Sequence, residues 1–270
     1  MCNHCVIENV KRNMLSRRSL FKGAAFAGAA AMVATSTPRE VLAQPASKVI
    51  DLTHAYDSTF PTFDGNPGVE YEWAVEFAQN GYQLHKLTIF EHTGTHIDAP
   101  FHFSADGTSV DQIEPEKLVA PLVIVDITDR AREEANTAVE AADIEAWISA
   151  NGEIPAGAIV ALRSGWATKV KEASFRNDAE GNFAFPGFGK SATDLLLTLD
   201  VVAIGVDTLS IDPGNSADFA VHNSWLPAGR YGIEALANLE ELPVKGATIV
   251  VGAPKHRGGT GGPARVLALV

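Results

Sequence analysis

Glu91-His92-Thr93-Gly94-Thr95-His96-Ile97-Asp98-Ala99-Pro100-Phe101-His102-Phe103 places three histidines and an aspartate in the eleven positions from His92 to His102. A helix cannot carry this stretch. Gly94, the β-branched Thr93, Thr95 and Ile97, and Pro100 all oppose one, the proline because it lacks an N–H and clashes with the preceding turn. The frame is therefore extended. Side chains alternate along a strand, so His96 and Asp98 point the same way, and a bend at Gly94 can fold His92 back beside them. Two imidazoles and one carboxylate then converge, an N,N,O set suited to zinc, manganese or iron with positions left for water and substrate. The competing reading is a polar loop with solvated histidines. The density of metal-type side chains, with only small residues between most of them, favours the ion.

Outward from the motif, the chain reads as alternating strands and helices. Upstream, residues 48–54 form a first strand, and 69–77 and 82–90 form a hairpin closed at Asn80-Gly81, whose second strand feeds directly into His92. Between them, Phe60-Pro61-Thr62-Phe63-Asp64-Gly65-Asn66-Pro67-Gly68 is a turn-rich loop. Downstream, 115–118 is a short helical turn, 122–127 a buried strand, and 140–150 a helix stopped by Asn151-Gly152. Strands follow at 159–162 and 201–206, with a helix at 190–199 between them, and two last strands lie at 248–251 and 266–270. Residues 175–189 read as a surface loop tipped with aromatics. Gly258-Gly259-Thr260-Gly261-Gly262 lacks the lysine and serine of a phosphate-binding loop and no helix follows it, so it reads as a tight turn close to the site. The expected fold is mixed α/β of the α+β kind: one domain with a central β-sheet or barrel-like β core flanked by helices.

Composition limits the partners. The 270 residues are 46% hydrophobic and 20% charged, with a net charge of −12, as in a globular domain with a full core. That charge, with no basic cluster in the body of the chain, argues against nucleic acid and anionic membranes. Ser16-Arg17-Arg18-Ser19-Leu20-Phe21-Lys22, followed by an Ala- and Gly-rich run to Ala34, reads as a twin-arginine export signal removed near Ala43 to Ala46. The run is too short to span a membrane, which needs about 20 apolar residues. Residues 1–46 are thus expected to be a signal and extension, and 47–270 the mature domain. The export machinery would be a partner of the precursor, and the mature protein periplasmic or secreted. Cys2 and Cys5, the only cysteines, would leave with the signal, so the fold would stand on its core without disulfides.

The stretch 91–103 also resembles the H-x-G-T-H-x-D-x-P-x-H signature of the cyclase family of metal-dependent hydrolases, which includes kynurenine formamidases and isatin hydrolases. Every fixed position is present. The likeness extends from Asp51 to Arg265, through Asp207-Thr208-Leu209-Ser210-Ile211-Asp212-Pro213-Gly214 and Ile233-Glu234-Ala235-Leu236-Ala237-Asn238-Leu239. It implies a swivelling β/β/α fold, and metal ligation by His92, His96, Asp98, His222 and Glu234. Asp98 and Glu234 would bridge if a second ion is present, and His102 would be the proton donor and acceptor. It also implies a homodimer or homotetramer. One or two divalent ions, zinc or manganese, would activate water against the C–N bond of a small aromatic or cyclic amide. Phe63, Phe185 and Phe188, with Phe60 and Phe183, are candidates for an aromatic substrate lining, against the plainer reading that about half are core. Phe63 stands where formamidases carry a substrate-stacking tryptophan. Two other readings are a non-catalytic exported metal-binding protein and a cyclase or dehydratase acting on a polyketide-like substrate.

Overall fold

Strands whose consecutive side chains are all apolar have to be covered on both faces, and that requirement sets the architecture. The computed structural model of the protein describes residues 48–270; the segment expected to be an export signal, with Cys2 and Cys5, lies outside them. The strands are β1 (Val49–Asp51), β2 (Val69–Val75), β3 (Leu84–Ile89), β4 (His96–Asp98), β5 (Val119–Asp126), β6 (Ala138–Val139), β7 (Ile159–Arg163), β8 (Gly187–Phe188), β9 (Ala203–Val206), β10 (Tyr231–Glu234), β11 (Ala247–Gly252), β12 (Gly261–Pro263) and β13 (Arg265–Leu269). Nine form one mixed sheet, in the order β1-β13-β11-β5-β7-β9-β10-β4-β12. Its centre, β5-β7-β9-β10, is parallel, and the strands on either side join it antiparallel.

The sheet is a single curled half-barrel with helices on its outside. Leu122 and Ile124 of β5 pack with Ile50, Ile97, Ile159, Ile233 and Ile249 in one core cluster. Val123 and Val125, on the opposite face, join Val160 and Leu162 in a second cluster with Ile144, Trp147, Leu196 and Trp225. The latter four come from the crossover helices that parallel strands require. Of the helices α1 (Phe77–Asn80), α2 (Thr128–Glu133), α3 (Ala141–Asn151), α4 (Lys190–Thr198) and α5 (Ala220–Trp225), α3 leads into β7, α4 into β9 and α5 into β10. The Glu140 side chain caps the start of α3 and Asp143 answers it, the reciprocal capping box.

Two local expectations need correction. The Asn80-Gly81 hairpin exists, but not as a two-residue turn: Phe77–Asn80 winds one helical turn first, closed by Gly81 at φ +73°. The stretch 175–189 is not an exposed aromatic loop. Phe175, Phe185 and Phe188 are fully buried, Phe188 because its backbone pairs β8 with β6 under α3 and α4. Phe185 packs with Phe60, Trp166 and Phe175. Neither Phe185 nor Phe188 keeps a face for a ligand, so the substrate lining has to come from other aromatics.

Candidate metal centre

Strand pairing assembles the cluster. β4 lies between β10 and β12, with His96 opposite Glu234 and Asp98 opposite Gly232. Residues directly opposite in an antiparallel pair share a face, so His96, Asp98 and Glu234 project together. The bend that returns His92 is at Gly94, φ +67°, and a Cβ there would lie 2.8 Å from the Tyr56 ring. His222 arrives from α5. His96, Asp98, His222 and Glu234 are buried, with 1–6% of each residue exposed.

The hydrogen-bond network assigns the ring protons. His96 Nδ1 donates to the Gly94 carbonyl at 2.9 Å, so its Nε2 lone pair faces Asp98 Oδ1 and Glu234 Oε2, each at 3.3 Å. His222 Nδ1 donates to Asp212 Oδ2 at 2.6 Å, and its Nε2 faces Asp98 Oδ2 and Glu234 Oε1, each at 3.5 Å. Asp212 is itself fixed by the backbone N–H groups of Val221 and His222. Asp98 Oδ1 also lies 2.6 Å from His92 Nδ1. Among the described residues, His96 Nε2 and Asp98 Oδ2 are two of the four buried side-chain polar atoms without a hydrogen-bond partner.

Acceptors that converge in a buried space need a cation. Without one, protons must serve. Burial lowers the His96 pKa, but the facing carboxylates of Asp98 and Glu234 more than reverse this and push it up to about 10. His222 is likewise raised, against its burial, by Asp212, Asp98 and Glu234. Burial disfavours the Asp98 carboxylate, yet His92, His222 and His96 hold it well below the usual carboxylate range. A divalent ion satisfies the same electrostatics without protonating the imidazoles, so the residues fit the metal.

Ligand-capable atoms fall into two overlapping groups within 4.8 Å: His92, His96 and Asp98, and Asp98, His102 and His222. The second group places His102 inside possible ligand range. Its ring stacks on His92 with centroids 3.9 Å apart and planes at 24°. Burial lowers its pKa, with Asp98 opposing.

An aromatic path leads out from the histidines. Phe103 lies 4.6 Å from His222 between ring centroids, Phe219 is 5.9 Å from Phe103, and Phe63 is 5.8 Å from Phe219 and 4.5 Å from Phe183. Of the residues named for the lining, Phe63, 38% exposed, stands on this path. Sequence reading left Phe103 without a role and Phe219 unnamed, although Phe103 follows His102 directly and Phe219 is three residues before His222. Asp212, which orients His222, lay inside a quoted motif without a role.

Comparison with known proteins identifies relatives of the chain. A family model described as "Putative cyclase" matches residues 50–213. The chain is 33% identical over 223 residues to an isatin hydrolase of Roseibium aggregatum, covering 78% of this chain and 84% of that protein. It is 26% identical over 195 residues to a kynurenine formamidase of Bacillus cereus, covering 72% and 82%. A crystal structure of an isatin hydrolase bound to the product analogue thioisatinate superposes with a TM-score of 0.79 at 27% identity, covering 100% of this chain and 99% of that one.

Proposed function

The chain belongs to the cyclase family, and from that premise we propose that it is a metal-dependent amide hydrolase acting on the C–N bond of a small cyclic aromatic amide of the isatin type. The observation that carries the proposal is the convergence of imidazole lone pairs and two buried carboxylates on one space at the inner end of an aromatic path. A divalent ion held there by His92, His96, Asp98, His222 and Glu234 would lower the pKa of water toward ~7 and polarise a carbonyl oxygen.

The remaining steps belong to the protein. Phe63, Phe219 and Phe103 offer aromatic faces along which a flat substrate can stack. His102, beside the cluster and with its pKa lowered by burial, takes a proton from the attacking water and returns it to the departing nitrogen. Positioned acid-base catalysis of this kind contributes ~10²–10⁴ in rate. A phenylalanine at position 63, where formamidases carry a tryptophan, and the higher identity to isatin hydrolase over most of the chain, 33% over 223 residues against 26% over 195, favour a cyclic amide over an N-formyl arylamine, which is the second reading. Zinc or manganese, as one or two ions, suits the donor set.

Assay of the purified protein, stripped and reloaded with zinc or manganese, against isatin and an N-formyl arylamine tests both readings. Ring opening of isatin faster than deformylation is expected. Inactivity of every loaded form on both would overturn the proposal.

The mature protein as a homodimer or homotetramer is part of the proposal, and the β2–β3 hairpin supports it. Tyr71, Trp73, Leu87 and Ile89 are 36–52% exposed and, by strand register, share one face with His85, whereas the opposite face pairs Glu72 with Lys86. With Phe77, Tyr82 and Phe90, also exposed, they make the hairpin an apolar surface of the kind that marks a protein contact. Twin-arginine export rests on residues outside those described. Replacing Arg17 and Arg18 with lysine should hold the precursor in the cytoplasm, and undiminished periplasmic protein would refute it.

A further inference from the structure

His92 differs from His96 and His222 in what holds its far nitrogen. Backbone carbonyl and Asp212 carboxylate are pure acceptors, so they fix the tautomers of those two rings outright. His92 Nε2 instead meets a hydroxyl, Thr260 Oγ1, at 3.0 Å, and a hydroxyl can donate or accept. Taken alone, the contact leaves the proton of His92 on either nitrogen, and with it the direction of the lone pair.

A third group resolves the ambiguity. Thr260 Oγ1 also lies 2.5 Å from Glu91 Oε2, and a carboxylate only accepts. The single hydroxyl proton therefore goes to Glu91, leaving Thr260 able only to accept from His92 Nε2–H. In the neutral ring that a metal ligand must be, the lone pair of His92 then falls on Nδ1, 2.6 Å from Asp98 Oδ1. Two acceptors so close call for a cation. Glu91 is held by two further donors, the Thr260 backbone N–H at 3.2 Å and His256 Nε2 at 2.5 Å.

The glycine-rich turn is shaped around this chain of contacts. A Cβ at Gly259 would come within 2.2 Å of His256 Nε2 and 2.7 Å of Glu91 Oε1. At Gly261 it would lie 2.2 Å from the Ile97 carbonyl oxygen and 2.9 Å from His92 Cε1. Close approach, rather than left-handed backbone, explains these two glycines; at Gly258, φ is +74°.

We propose that Glu91, acting through the Thr260 hydroxyl, is a positioning residue that fixes the tautomer of His92 and aims Nδ1 at the metal. His256 braces Glu91 from the surface. The proposal rests on the metal-centre reading above and assigns a task to the turn at residues 258–262 that sequence alone left without one. Partners of this kind, one bond beyond a ligand, typically tune metal affinity by ~10–100-fold.

The test is zinc affinity, measured by competition with a chromophoric chelator, for the unaltered protein, T260V, T260S and E91Q. Folding is checked by circular dichroism. Valine removes the acceptor and should weaken zinc binding ~10–100-fold, while serine keeps it and should bind within about twofold of the unaltered protein. E91Q should weaken zinc as well, because its amide can donate to Thr260 and release the hydroxyl proton toward His92. Long-range proton–nitrogen spectra of the zinc-loaded protein should show His92 protonated on Nε2. Folded T260V or E91Q binding zinc within twofold of the unaltered protein, or His92 protonated on Nδ1, would overturn the proposal; should T260V fail to fold, E91Q and the spectrum decide. Failure of the unaltered protein to bind zinc or manganese would overturn the metal centre itself, a result distinct from equal binding by all four proteins.

Discussion

Ile89 and His96 are seven residues apart, yet the chain between them passes from a surface where apolar side chains lie in water to a pocket where charged ones lie out of it. On β2 and β3, Tyr71, Trp73, Leu84 and Leu87 are about half exposed. On β4, His96 and Asp98 are buried, with an unpartnered polar atom each. Each arrangement is unfavourable by itself. Burying a polar group without a partner costs about 1–3 kcal/mol, and an isolated two-stranded hairpin is at best marginally stable in water. A cation would relieve the first arrangement, and the proposed second subunit would relieve the other.

The strongest way to break this comparison is to remove a central ligand. His96→Ala is expected to abolish metal retention and activity while the fold, whose cores are apolar and separate, persists. Full metal content by elemental analysis of the folded variant would refute the ion as the missing partner. His102→Ala comes next. If the ring moves protons rather than holding metal, the variant keeps its metal and loses at least ~10²-fold in turnover. Because His102 shares a possible ligand group with Asp98 and His222, metal content and rate must be read on one preparation. Metal lost with the imidazole makes it a ligand; metal and rate both retained leave it no role.

The hairpin offers a gentler test. Leu87→Glu puts a charge in the middle of the apolar face, opposite Tyr71, without touching any group of the metal cluster. By sedimentation, the unaltered protein should be a dimer or larger and the variant a monomer, with zinc affinity within about twofold of the original, an arbitrary but readable margin for a site the substitution does not contact. An unaltered protein that sediments as a monomer would show that the face has another occupant.

Legibility followed sequence distance. Residues 92–98 could be read because strand alternation and one glycine bend are local rules, and β5, β7 and β9 because they are continuous apolar runs; their parallel pairing, and the strand β10 beside them, went unread. His222 and Glu234 are brought in across crossover connections, so no local rule reaches them, and only resemblance named them. The aromatics at 183–188 misled for a different reason. A phenylalanine in a Gly- and Pro-rich segment looks the same whether it points in or out, and the two-residue strand β8, paired with β6, turned Phe188 into the core. Glu91 stood beside the motif without a role, because its partners, Thr260 and His256, lie more than 160 positions away.

Asp207 is the control that sharpens the comparison, since it is a buried carboxylate with every partner present. It is 1% exposed and accepts from Ser164 Oγ at 2.6 Å and from the backbone N–H groups of Ser164 and Trp166. If orphaned acceptors mark a metal centre and satisfied ones do not, Asp207→Asn should leave zinc affinity unchanged. Its effect should appear instead in the pH dependence of stability. Burial, outweighing those donors, raises its pKa from 3.8 to about 6. The folded state then holds this proton more tightly than the unfolded chain, so the group's contribution is fully present below about pH 4 and is lost as pH rises through about 6. Two pK units correspond to roughly 3 kcal/mol. Urea unfolding of the metal-free proteins at pH 4 and pH 7 should therefore show the original losing about that much relative to the variant across the interval. Parallel profiles would mean that Asp207 is already ionised in the folded protein at pH 4, its hydrogen bonds outweighing its burial.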